Sequence, residues 1–214
     1  MKKTVITIAR SYGSGGRTLG KLLAEQLGIN CYDREILRMA SDASGINEAL
    51  FGQADERLKR SPLFGILKKN PYKGGVIPPE NSDFVSDDNL FNYQAKVIRD
   101  LAEKESCVIV GRCADYVLRN QERVLRCYLY APDAYRASSV ASLNLSTASE
   151  YQPLIDEVDK ARASYYLKYT GYPVDNLELR DLVVNTACLG LEGTVEMLAA
   201  FAAKKFGLNL EEQA

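Results

Sequence analysis

The chain has 214 residues, 46% hydrophobic and 26% charged, which is core material for one α/β domain carrying an insertion or for two small ones. Lys and Arg number 27 against 28 Asp and Glu, a formal charge of -1, so nothing global argues for nucleic acid or an anionic membrane, and any anion site must be local. There is no histidine, which removes serine–histidine, cysteine–histidine and histidine-ligated metal chemistry; the five cysteines form no CxxC pair and read as reduced thiols in a cytoplasmic protein.

In chain order, the apolar run 4–9 after Lys2 and Lys3 is too short for a signal peptide or a membrane span. Within it Thr4-Val5-Ile6-Thr7-Ile8 reads as a buried parallel strand, short and β-branched. The glycine-dense stretch Arg10-Ser11-Tyr12-Gly13-Ser14-Gly15-Gly16 follows, and helical spacing of Leu19, Leu22, Leu23 and Leu27 leads to a stop at Gly28. Residues 29–32 suggest a second strand, with Asp33 placed as the N-cap of a helix carrying Ile36, Leu37 and Ala40 on one face.

From about 45 to 88 the pattern weakens to a short helix, 48–58, and a turn-rich tract with Ser61-Pro62, Asn70-Pro71, Gly74-Gly75 and Pro78-Pro79. A loop of that length points to an inserted, substrate-side segment. A helix over 90–104, a strand 107–110 ending in Gly111-Arg112, and a strand 124–130 stopped by Ala131-Pro132 come next. A helix from Asp133, a charged, tyrosine-bearing helix over 155–169 within a lid region of about 146–175, a strand 182–185 and a closing helix 192–206 complete the chain. Strands alternating with helices predict a parallel five-stranded sheet flanked by helices in a single domain, 1–214.

Ligands of such sheets bind beyond the carboxyl ends of the strands, and four of those ends carry chemistry. The strand–glycine turn–helix passage sets backbone N–H groups where they can cradle phosphate. It departs from G-x-x-x-x-G-K-[ST], because Arg10 stands at the first glycine, Gly16 at the lysine, and Thr18 one place beyond the Ser/Thr. Arg17 is placed to put a guanidinium on the same oxygens and the Thr18 hydroxyl to reach a magnesium ion. Arg112, leaving a buried strand, suits a substrate phosphate; the alternative is a loop arginine in an ion pair. Asp33 is either a plain N-cap or a group that orients an acceptor or holds water on magnesium. Asp159 and Arg162 lie at i, i+3, either as an intrahelical ion pair or with Arg162 directed at a migrating phosphoryl group.

Taken together, Ile8-Ala9-Arg10-Ser11-Tyr12-Gly13-Ser14-Gly15-Gly16, Tyr32-Asp33-Arg34-Glu35, Val110-Gly111-Arg112-Cys113, Asp159-Lys160-Ala161-Arg162 and Asp181-Leu182-Val183-Val184-Asn185 resemble the cytidylate kinase-like proteins, relatives of the phosphate-loop nucleoside monophosphate kinases. The resemblance implies a three-layer P-loop fold with a monophosphate-binding insertion and a helical lid. It also implies transfer of the γ-phosphoryl group of ATP to CMP or dCMP with Mg2+. By residue, Arg10, Gly13, Ser14, Gly15, Gly16, Arg17 and Thr18 would surround the donor phosphates, with Thr18 on magnesium. Asp33, Arg38, Arg112, Asp159 and Arg162 would serve the acceptor side, and Arg17, Arg162 and Asp33 the chemistry. Three departures go with it: Gly16 for the lysine, Cys113 for an aspartate, and Arg38 with Met39 straddling the position of an acceptor-contacting arginine. With the lysine gone, Arg17 or Arg10 is its substitute. The alternatives are a nucleotide-binding module without catalysis, or a small-molecule kinase with another acceptor. No nucleic acid or membrane partner is expected, and a homodimer is left open.

Overall fold

The computed structural model describes residues 3–60, 71–144 and 148–209. Five strands, β1 (Val5–Arg10), β2 (Asn30–Tyr32), β3 (Cys107–Val110), β4 (Val124–Tyr130) and β5 (Leu182–Asn185), form one parallel sheet in the order β2-β3-β1-β4-β5. Continuous apolar runs make such strands because both faces are covered. Ile6, Ile8, Val108, Val110, Leu125, Cys127 and Leu129 pack beneath α1 (Gly16–Gln26) and α8 (Gly190–Phe206). Val5, Cys107, Ile109 and Val124 face the other way, toward α2 (Glu35–Ser44), α3 (Glu48–Arg60), α4 (Asp87–Lys104) and α5 (Ala114–Val117). A third, smaller cluster joins α6 (Asp133–Asn144) to α7 (Ala148–Thr170), with Tyr12 of the glycine turn packed against it. This is the three-layer α/β fold expected of the chain.

The differences from the sequence reading have local causes. β1 runs on to Arg10 because Ala9 and Arg10 still pair with Tyr128 and Leu129 of β4, which makes Arg10 a strand residue rather than the start of the loop. α4 begins at Asp87, where the Ser86 hydroxyl accepts from the Asn89 N–H at 3.3 Å and two aspartates sit in the positive first turn. α7 starts well before Ile155 and tolerates Pro153 inside it, although that residue has no N–H to give the ladder. Asp33 does not cap α2: Arg34 holds the cap position without a side-chain bond, and the Asp33 carboxylate points elsewhere.

Beyond α3, the described residues ahead of α4 are held from both sides. Asn89, fully buried, accepts from the Ile77 N–H at 2.7 Å and donates to the Ile77 and Phe84 carbonyls at 3.0 and 2.7 Å. Tyr72 donates its N–H to the Tyr169 carbonyl of α7 at 2.8 Å. The turns expected at Ser61-Pro62 and at Asn70, and residues 146–147 of the lid, lie outside the described residues. No helix among the described residues is long and apolar enough to cross a membrane.

Candidate anion site at the strand ends

Between β1 and α1 the chain turns through Gly13 and Gly15, both left-handed at φ 81° and 80°, a conformation that glycine adopts freely. Gly13 is also pressed against its neighbour, since a Cβ there would lie 2.9 Å from the carbonyl oxygen of Arg136. The Ser14 hydroxyl is fully buried and donates to the Ser11 carbonyl at 2.9 Å and toward that of Leu129 at 3.3 Å. Ser14 is therefore tied inward and has its backbone, not its hydroxyl, to give a ligand. Thr18 stands exposed on the first turn of α1, and Gly15 and Gly16 open the helix with no side-chain cap.

The strand ends beside this turn bring arginines together. Arg10 leaves β1 with its side chain only 17% exposed, and Arg17, 53% exposed, reaches across from α1. Asp33, after β2, accepts from Nε of Arg17 at 2.6 Å and lies 3.8 Å from Nη2 of Arg10. Burial, reinforced by the charges of Arg162, Arg112 and Arg17, lowers the Arg10 pKa to about 9 although Asp33 opposes it. Arg162 is likewise held below its ordinary value, chiefly by burial, with Asp159 opposing. Four guanidiniums from β1, α1, α7 and the end of β3 thus converge on one crevice, with Asp33 and Asp159 as the carboxylates acting on them.

Arg112 is presented by an unusual backbone. Gly111, Arg112 and Cys113 are consecutively left-handed, at φ 79°, 58° and 52°. Two non-glycine residues in that region cost roughly 1–3 kcal/mol each, and such strain gathers where a side chain must be aimed. Nη1 of Arg112 lies 3.5 Å from Oε1 of buried Gln94. Asp115 does not take the part of the aspartate that Cys113 replaces: it is buried against Arg180 and accepts from the Tyr166 hydroxyl at 2.8 Å, turned into a separate network. Arg38 is exposed on α2, and its side chain makes no hydrogen bond or ion pair among the described residues.

On α7, Asp159 and Arg162 are not ion-paired with each other. Asp159 accepts from the Tyr12 N–H at 2.7 Å and pairs with Arg136 of α6, while Arg162 extends over the Tyr12 ring at 5.4 Å toward the Arg10 carbonyl at 3.4 Å. Arg136 completes this contact by donating to the Tyr12 carbonyl at 3.2 Å and to Asp133 at 2.6 Å. The sequence reading did not single out Arg136. Its signal is the Asp133-x-x-Arg136 spacing directly after the strand end at Pro132.

No group of three or more acidic or cysteine side chains that could hold a metal ion gathers among the described residues, Asp33 is engaged by Arg17, and the Thr18 hydroxyl stands exposed at the turn. Burial raises the Cys107 and Cys127 thiols to about 12 and the Cys31 thiol to about 11, which removes these three as reactive candidates.

A family model described as "Cytidylate kinase-like family" matches residues 5–187. The cytidylate kinase of Archaeoglobus fulgidus is 27% identical over 210 residues, covering 95% of this chain and 98% of that one. The cytidylate kinase of Pyrococcus horikoshii is 26% identical over 199 residues, 92% of this chain and 88% of its own. Among solved structures, an uncharacterized protein from Eubacterium ventriosum superposes with a TM-score of 0.67 at 19% identity, covering 94% of this chain and 98% of that chain, which is a likeness of fold.

Proposed function

The chain belongs to the cytidylate kinase-like family, and from that premise we propose that it transfers the γ-phosphoryl group of ATP to a nucleoside monophosphate, with CMP or dCMP as the first acceptors to consider. The observation that carries this reading is the convergence of Arg10, Arg17, Arg112 and Arg162 on a glycine turn at the strand ends. Four guanidiniums gathered at one crevice suit a polyanion. Phosphoryl transfer asks little covalent chemistry of a protein; it is accelerated by positioning and by stabilising charge on the migrating group. The absence of histidine is therefore no obstacle.

In this reading the turn and Arg17 hold donor phosphates, Arg112 holds the acceptor phosphate, and Arg162 stabilises the group in flight. Magnesium, bound to the nucleotide with the Thr18 hydroxyl beside it, would neutralise phosphate charge. Asp33 is a positioning residue through Arg17. A coupled assay of ADP release with CMP, dCMP, UMP and AMP tests the reading. Turnover with CMP or dCMP above the other two is expected; absence of turnover with all four refutes nucleotide kinase activity, and ATP binding in that case would indicate a module that holds its ligand without chemistry.

A further inference from the structure

Two departures from the phosphate-loop pattern, Arg10 at the first glycine and Gly16 at the lysine, are in contact. A Cβ on Gly16 would lie 2.8 Å from Cγ and 2.9 Å from Cβ of Arg10, so the arginine stem occupies the space into which a side chain at 16 would grow. Further along, a Cβ on Gly111 would overlap Nη1 of the same arginine and lie 2.9 Å from its Cζ. Arg10 therefore runs over Gly16 at the start of α1 and ends at the carboxyl end of β3, one residue from Arg112. Both glycines lack a side chain where this passage needs the room.

Resting on the kinase reading above, we infer that Arg10 is the cation that holds the terminal phosphates of the donor nucleotide, exchanging places with the lysine of the usual loop. The Arg10 stem fills the space that a side chain at 16 would need, so a cation at one position leaves no room for one at the other. The assignment goes to Arg10 rather than Arg17 on geometry. Arg17 is half-exposed and committed to Asp33 at 2.6 Å, whereas Arg10 is buried with its head 3.8 Å from that carboxylate and aimed between the turn and Arg112. Asp33 meets the Arg10 head only at 3.8 Å and is shared with Arg17, which leaves Arg10 hydrogen-bonding capacity for a ligand. In the transfer step an acceptor phosphate oxygen forms a bond to the γ-phosphorus, the bond from that phosphorus to the β–γ bridging oxygen breaks, and ADP leaves with the electron pair. No proton moves, and Arg10 donates hydrogen bonds to oxygens whose charge grows as ADP departs.

The test uses R10M, which keeps an unbranched stem over Gly16 but removes the charge, and R10G/G16K, which moves the cation to the usual lysine position. Loss of a donor at such a site costs about 100- to 1,000-fold. R10M is expected to lose at least about 100-fold in kcat/KM for ATP, and R10G/G16K to exceed R10G alone by at least about tenfold. R10M within about threefold of the unmodified protein, or R10G/G16K folded and no better than R10G, overturns the assignment. Should the Arg10 variants not fold, G16A decides, since it keeps the Arg10 side chain but crowds its stem, and alanine suits a helix start. A fall of about tenfold or more in kcat/KM supports the passage of Arg10, and an unchanged value refutes it. Absence of turnover in the unmodified protein would refute the kinase reading itself, a result distinct from any of these.

Discussion

Asp33 has a narrower task than helix capping. Its carboxylate, 9% exposed as a residue, gathers Arg17 at 2.6 Å and faces Arg10 at 3.8 Å, so it holds the cation cluster together when no ligand is there. Removing that charge works in opposite directions on fold and ligand. Because Arg17 is half-exposed, the bond's contribution is discounted for solvent screening to about 1–2 kcal/mol. Asp33→Asn should then melt roughly 2–8 °C lower without ligand. It should also bind pyrophosphate about threefold or more tightly, because one negative charge no longer competes for the arginines. Calorimetry and a melting curve read both signs; weaker pyrophosphate binding would show that Asp33 positions the arginines more than it neutralises them. The identity of these residues was legible in the sequence, but their partners were not. A carboxylate after a strand and before a helix satisfies the N-cap pattern, and only the crossing of α1 over β2 reveals that Arg17 lies closer than the helix N–H groups.

At the scale of elements, α7 is joined to the glycine turn through the turn's own backbone. Asp159 takes the Tyr12 N–H, Arg136 takes the Tyr12 carbonyl, and Gly13 lies against the main chain of Arg136. α7 and the glycine turn thus form one hydrogen-bonded unit, with Arg162 carried beside Arg10 as a result. Asp159→Ala removes the acceptor for the Tyr12 amide and a partner of buried Arg136. Amide hydrogen exchange in the turn should quicken by about tenfold or more, corresponding to ~1.4 kcal/mol of local opening, while exchange in β3 stays unchanged. Equal protection in the variant would mean that the sheet alone holds the turn. The i, i+3 spacing of Asp159 and Arg162 could not disclose this arrangement, since it is equally that of a plain ion pair. The strands, by contrast, were legible almost to the residue, because buried parallel strands are continuous apolar runs bounded by glycine and proline. The exception was β1, whose last residue is an arginine and so ended the apolar pattern while the ladder went on. α7 also extends beyond the expected 155–169, starting at Ala148 with Pro153 inside it.

For the whole molecule, a formal charge of -1 conceals a strongly positive corner. Four arginines at one end of the sheet raise the local potential where clefts focus field lines, so a small polyanion should be drawn to that end and released by salt. Pyrophosphate at a hundredfold excess over its dissociation constant should stabilise the fold by about 2.7 kcal/mol, a rise of roughly 5–10 °C in Tm. The rise should shrink as sodium chloride goes from 0.05 to about 0.5 M, over which the screening length falls below the size of the site. A shift indifferent to salt would place the anion elsewhere. The buried position of Arg10 has a consequence for anyone who alters this chain. The unfolded protein hydrates that guanidinium freely and the ligand-free fold does not, so neutral replacements at 10 would be enriched by a selection for thermal tolerance alone. Directed evolution toward hardiness would thereby erode affinity unless each round were run in the presence of the anion.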